Sequence, residues 1–261
     1  MSDFDRNYAA TTRGYATDRA VIDAGLRAHM VRVYNYMALG VALTGVAAWL
    51  AYQLAGGDAI VITARGISGL TPFGQLVFSL PGQIILFLGT LGLVIMISWR
   101  IDRLNVGTAL TLFLVYAGLL GVMLSSIFLA YTGASITRVF FISAASFGAL
   151  SLWGYTTQRD LTAMGSFLMM GLIGLILAML VNMLLLAFGV KTGPLDFIIS
   201  CLGVLIFAGL TAYDTQKIKE MYEPMDDGTV AGRKAVMGAL SLYLDFINLF
   251  LFMLRLFGDR R

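Results

Sequence analysis

Polar and charged residues divide this chain into apolar blocks at 32–54, 83–99, 106–131, 136–155, 166–190, 197–213 and 235–257. About 20 apolar residues, rising about 1.5 Å each in a helix, cross the ~30 Å hydrocarbon layer of a bilayer. The pattern therefore predicts an all-α fold: a polytopic membrane helical bundle of seven transmembrane helices. The alternative is six spans plus a re-entrant last segment. Before the blocks lies a polar N-terminal tail, residues 1–30, in which Asp and Arg alternate (Asp3, Asp5, Arg6, Arg13, Asp18, Arg19) with no apolar signal-peptide core. Its second half, 17–30, spaces Val21, Ile22, Leu26 and Met30 for one apolar face and predicts an amphipathic approach helix. The bundle takes residues 31–257, and 258–261 form a short basic C-terminal tail.

Two connections stand out. Residues 56–82 predict a long loop with turn signals at Gly56-Gly57, Thr71-Pro72 and Pro81-Gly82, and residues 214–234 form the one strongly charged loop. Gly118, Gly121, Gly171, Gly174, Gly203 and Gly209 suit close helix–helix contact in lipid, and Asn182 suits an interhelical hydrogen bond.

Composition agrees with the pattern. Hydrophobic residues make up 59% of the chain and charged residues 13%, against about 25% charged in a soluble domain. Mean hydropathy is +0.84, so the chain lacks the polar surface for a wet exterior. The net charge of +3 is small and its basic residues sit between apolar blocks, which points to topology signals and not to nucleic acid. Placing the N-terminus in the cytoplasm puts Arg27, Arg32, Arg100, Arg103, Arg159, Lys217, Lys219, Arg233 and Lys234 inside with the tail arginines, leaving Arg65, Arg138 and Lys191 outside. Arg255, Arg260 and Arg261 dissent, because seven spans put them outside while re-entry keeps them inside. Block length decides for seven. Cys201 is the one cysteine and His29 the one histidine, which removes most metal and nucleophile–base schemes. Cys201 reads as a small buried hydrophobe, and no enzyme is predicted.

The candidate chemistry lies in two aspartates. The first five blocks contain no Asp or Glu, whereas Asp214 follows the sixth and Asp245 sits near the middle of the last. A charge at the centre of a membrane helix costs about 2.5–3.5 kcal/mol on insertion scales. Asp245 lies ~15 Å of helix from either end of its block, too far for a short side chain to reach water. Gly238, Ser241 and Asn248, at i−7, i−4 and i+3, share its face and make a small polar stripe. Such a stripe belongs at the bundle centre, so the last helix is predicted to be central, with Ser241 and Asn248 lining a pore beside Asp245. Asp214 reads either as an interfacial carboxylate in water or as the partner of Asp245. Two carboxylates in contact cannot both ionise cheaply and share a proton. Ionised together, they attract a divalent cation weakly, because they supply at most about four oxygens where Ca²⁺ takes six to eight. Arg100 and Arg103 read either as positive-inside anchors or as a candidate latch on the pair.

The segments Tyr213-Asp214-Thr215-Gln216-Lys217-Ile218 and Ala239-Leu240-Ser241-Leu242-Tyr243-Leu244-Asp245-Phe246-Ile247-Asn248-Leu249-Phe250 closely resemble the Bax inhibitor-1 family. The layout of the whole chain matches as well, and the bacterial branch fits best. The resemblance implies six helices around a central seventh in the bacterial inner membrane. It implies a pH-sensitive calcium leak channel gated by an aspartate pair, here Asp214 and Asp245. Arg100 or Arg103 would be the latch, Ca²⁺ the permeant or weakly bound ion, and no cofactor is tightly held. The partners implied are the lipid bilayer, Ca²⁺ and protons. Some bacterial relatives are instead tied to a membrane-anchored ATP-dependent protease, which gives the alternative of a non-channel membrane regulator using its N-terminal tail. An intramembrane aspartyl protease also needs two aspartates on successive helices, but that class resembles Gly-x-Gly-Asp at its second aspartate, whereas Asp245 stands in Tyr-Leu-Asp-Phe.

Overall fold

A computed structural model describes the backbone of residues 3–63, 66–190 and 192–261, and the side chains of 24–62, 67–190 and 192–261. The first helix, α1 (Asp3–Leu54), passes from the polar tail into the first span without a break. Ala24, Leu26, Arg27, Ala28 and Met30 are good helix formers, and no proline interrupts them, so the helix runs on across residue 30. The tail side chains before residue 24, including Val21 and Ile22 of the approach helix, lie outside the described residues, as do those of Arg65 and Lys191.

Gly56 (φ 132°) and Gly57 (φ 53°) end α1 in backbone conformations that only glycine adopts readily. The segment read as a loop then folds further. It contains an antiparallel hairpin, β1 (Val61–Thr63) with β2 (Gly66–Ser68), and a short helix, α2 (Pro72–Phe78), whose cap Thr71 accepts from the Gly74 N–H at 3.1 Å. Ser79 caps α3 (Leu80–Arg100) in the same way. Next come α4 (Val106–Leu124), α5 (Ile127–Ala130) and α6 (Gly133–Thr156). The block read as one span to residue 131 divides at Ser125 and Ser126, whose hydroxyls donate back to the Val122 and Met123 carbonyls at 2.6 and 3.2 Å. These bonds compete with the helix ladder and help to end it. The last three helices are α7 (Thr162–Ala187), α8 (Gly193–Glu220) and α9 (Gly228–Phe257).

Among the described residues, seven helical stretches are long and apolar enough to cross a membrane. The last has the length of a full span, since α9 is 30 residues of unbroken helix, or ~45 Å. The charged loop predicted at 214–234 shrinks to 221–227. Gln216, Lys217, Lys219 and Glu220 favour helix and carry α8 beyond its apolar block, while Asp227 Oδ1 accepts from the Thr229 and Val230 N–H groups and starts α9 early.

The last helix is central. Of its apolar window 72% is buried, against 17% to 44% for the other spans. It packs against α1, α4, α6 and α8, while α3 lies outside α4 and α7 outside α8. The expected ring of six is thus an inner ring of four with two peripheral spans. The exposed apolar side chains of the outer spans, Ile85, Leu88, Phe167 and Met170 among them, face where lipid must be. Tyr243 anchors the centre: fully buried, it shares a 2.6 Å hydrogen bond with Thr44 of α1 and meets Phe113 and Tyr116 of α4 edge-on. Of the glycines expected to pack, Gly121 touches the α1 backbone at Thr44 and Gly203 lies beneath the Phe252 ring, whereas Gly118 and Gly174 face open space. Cys201 is half-buried on α8.

The basic tail is a strap. Arg260 pairs with Tyr131 in an antiparallel bridge, the Thr132 N–H donates to the Asp259 carbonyl at 3.1 Å, and Arg138 Nη2 donates to Asp259 Oδ2 at 2.9 Å. These contacts account for arginines at the end of a full span: they are tied across the α5–α6 junction.

Candidate functional site: an aspartate pair between α8 and α9

Asp214 stands within α8, about two turns before its end, and Asp245 stands mid-way along α9. The α8–α9 packing brings the two carboxyls close enough to act on each other. A carboxylate only accepts, so two carboxyls can hydrogen-bond only by holding a proton between them. Asp245 is 5% exposed, and its Oδ2 has no hydrogen-bond partner among the described residues. Lys217, one turn along α8 and itself exposed, is the cation acting on Asp214.

The polar stripe explains the convergence, and it lies away from the two large apolar grooves of the bundle. Ile218 of α8 fills the space left by Gly238, so the stripe turns toward α8. Ser241 and Asn248 are half-buried, and Asn248 Nδ2 is satisfied within its own helix by the Leu244 carbonyl at 2.8 Å. Two apolar grooves open between α1 and α6. One, of about 350 Å³, runs past Thr44 and Phe246, and the other, of about 690 Å³, past Tyr34 and Ser151; none of the five stripe and pair residues lines either.

Neither candidate latch is at the pair. Arg100 and Arg103 are exposed and form no ion pair among the described residues. The physical reason is the position of α3, outside α4. The turn at 101–103 does meet α9, but near Arg233, whose Nε donates to the Leu104 carbonyl at 2.6 Å. That point is ~18 Å of helix from Asp245. Nor does a further metal ligand join the pair, since no group of three or more His, Cys, Asp or Glu occurs among the described residues.

Other residues near the site carried no assigned role in the sequence. Tyr34 on α1, Ser151 on α6 and Thr215 on α8 form a hydroxyl chain at 2.5 and 2.9 Å, which ends with Thr215 donating to the Thr211 carbonyl at 2.7 Å. Gln216, 7% exposed, ties α8 to the α6–α7 connection: its Oε1 accepts from the Leu161 N–H and its Nε2 donates to the Arg159 carbonyl, both at 2.8 Å. Buried hydroxyls at Ser143 and Ser151 of one apolar block were the available signal for α6. Asp196 was missed because it stands one residue before the block at 197–213. In the structure it accepts a 2.6 Å hydrogen bond from Asn182 Nδ2, the interhelical contact expected of Asn182.

Comparison with known proteins agrees with this architecture. The family described as "Inhibitor of apoptosis-promoting Bax1" matches residues 26–261. The chain belongs to the Bax inhibitor-1 family. It is 44% identical over 261 residues, the full length of both chains, to the protein RP147 of Rickettsia prowazekii. It is 44% identical over 240 residues, 91% of this chain and 94% of the other, to a protein of Escherichia coli called "Inner membrane protein YbhL". A Caulobacter vibrioides protein matches at 41% over 266 residues, all of both chains. The Bax inhibitor-1 family is thus shown across the whole bundle, with the pair-bearing helices α8 and α9 inside the matched span.

Proposed function

We propose that this protein is a proton-regulated cation leak, with Ca²⁺ as the ion, in which Asp214 and Asp245 are both the proton sensor and the cation site. The observation that carries the reading is Asp245 itself: a carboxyl buried mid-span at 5% exposure, whose contact is another carboxyl and not an arginine. A merely structural position would cost less with an apolar side chain, because burying a charge without a counter-ion is expensive. Held together by a proton, the pair closes the α8–α9 seam. Without the proton, two like charges repel one another and attract a cation. The four oxygens are too few for storage and suit passage, with water and carbonyls completing the shell. Ser241 and Asn248 flank the path once the seam parts. The setting is the bacterial inner membrane with the N-terminus in the cytoplasm, supported by the Lys and Arg bias and by the name of the Escherichia coli relative.

The test is Ca²⁺ flux into liposomes holding the purified protein, scanned from about pH 6 to 8. Flux rises with pH in this reading, because the shared proton leaves. Asp245→Asn and Asp214→Asn, each unable to lose it, stay near the acid plateau at every pH. Normal, pH-dependent flux in the double variant sinks the mechanism. No flux above empty liposomes in the native protein sinks the leak as a whole.

A further inference from the structure

At the end of the bundle where α7 and α9 stop and α8 starts, a cleft of about 500 Å³ lies far from the aspartate pair. Asn182, Asp196, Arg255 and Arg260 supply its polar wall. Asn182 is 8% exposed and spends its Nδ2 on Asp196, while its Oδ1 has no partner among the described residues. A buried acceptor left unpaired is costly, so the cleft asks for a donor at that atom. Asp196 adds a negative charge beside it, with Oδ2 held only by a 3.5 Å contact from Thr192. On the other side, Arg255 and Arg260 form no ion pair among the described residues. Arg255 lies over the Phe252 ring at 5.4 Å, and Arg260 is placed by the C-terminal strap. One wall therefore accepts N–H groups while the other offers guanidinium donors. The rim is apolar: Met183 is 64% and Phe197 63% exposed, on faces that meet lipid.

We propose that this cleft binds a phosphate–amine zwitterion, the headgroup of a phosphatidylethanolamine. Its phosphate lies at Arg255 and Arg260, its ammonium donates to Asn182 Oδ1 and Asp196, and its acyl chains run down past Met183 and Phe197. Depth agrees, since the cleft sits at the ends of the spans, where headgroups lie. The ammonium must carry N–H bonds. A choline headgroup has none to give Asn182, and a glycerol headgroup has no positive charge for Asp196. The proposal is independent of the leak.

Native mass spectrometry of the purified full chain tests it, titrating short-chain phosphatidylethanolamine, phosphatidylcholine and phosphatidylglycerol, and free phosphoethanolamine. The expected result is ethanolamine lipid bound about tenfold tighter than either other lipid, the worth of one well-made charged hydrogen bond. Asn182→Leu should reduce the preference over choline, with Asp196 as the remaining acceptor, without weakening choline binding. Arg255→Gln, at an exposed position where folding is not at stake, should weaken ethanolamine and choline lipids alike. Free phosphoethanolamine binding as tightly as the lipid supports the same site chemistry and makes the soluble zwitterion its source. Equal binding of all three lipids overturns the proposal, and so does tightest binding of phosphatidylglycerol.

Discussion

Gln216 offers a sharp test of how the functional end of α8 is held. Its side-chain amide makes two hydrogen bonds to the backbone between α6 and α7, one to the Leu161 N–H and one to the Arg159 carbonyl. Gln216→Leu removes both and keeps similar volume. The two orphans are not equal. Leu161 is 5% exposed, so its N–H has no water to turn to, and an unpaired buried donor costs about 1–3 kcal/mol. Arg159 is exposed and its carbonyl can be rehydrated, which reduces that loss to a few tenths of a kcal/mol. The sum is about 2 kcal/mol, or roughly a 30-fold rise in the unfolding constant. This exceeds the ~0.6 kcal/mol average for side-chain hydrogen bonds between membrane helices, because here a backbone group is stranded. The assay is unfolding by SDS from mild detergent micelles, followed by circular dichroism. Glu220→Gln, at an exposed position one turn further along α8, is the control and should shift stability by less than ~0.5 kcal/mol. A Gln216→Leu loss no larger than the control would refute the idea that this side chain fastens α8.

Further outcomes follow from the same contacts. Gly121→Leu should lower stability by more than ~2 kcal/mol in the same assay, since its side chain would enter the α1 backbone at Thr44 and the methyl of Ala47. Tyr243→Phe should cost only about 1 kcal/mol, because Thr44 Oγ1 keeps the Gly40 and Ala117 carbonyls as acceptors at 2.9 Å and no buried donor is stranded. Asp259→Ala should change stability by less than ~0.5 kcal/mol, since its 2.9 Å pair with Arg138 is solvent-exposed on both sides.

How legible all this was depends on which physical signal each residue sends. The spans were plain because a run of apolar residues has one stable solvent, and the centrality of α9 followed from a stripe whose polar members recur at helical spacing. The α8 and α9 ends were misread because Lys217, Lys219, Glu220, Arg233 and Lys234 announce an interface with water, and charge does not distinguish a loop from a helix that has left the membrane. The break at Ser125 and Ser126 hid inside an apolar block, since a serine that ends a helix by bonding its carbonyls looks like one that packs. Asp214 and Asp245 come together on α8 and α9, whereas Arg100 and Arg103 form no ion pair among the described residues, because reach depends on which helices are neighbours. No spacing along the chain says that α3 lies outside α4. Asp196 is hidden for a simpler reason: it stands one residue outside its apolar block, where a carboxylate looks solvated, and nothing in the sequence marks it as the partner of Asn182.

The missing latch changes what can neutralise the pair. Arg100 and Arg103 are elsewhere, and Lys217 is exposed and acts on Asp214 alone. Within the proposed mechanism the neutralising charge at Asp245 must therefore be either a proton or a cation, and the two exclude each other on the same oxygens. Linkage then fixes a relation between them: a cation that binds only the ionised pair displaces the proton, so more cation makes the pair easier to ionise. The pH at which flux is half-maximal should fall as Ca²⁺ rises, approaching about one pH unit per tenfold in Ca²⁺ when one proton leaves per ion bound. Flux measured over a matrix of pH and Ca²⁺ reads this directly. A midpoint that stays put while Ca²⁺ changes a hundredfold would mean that proton and ion act at separate places. The aspartate pair would then be a proton switch without being the cation site.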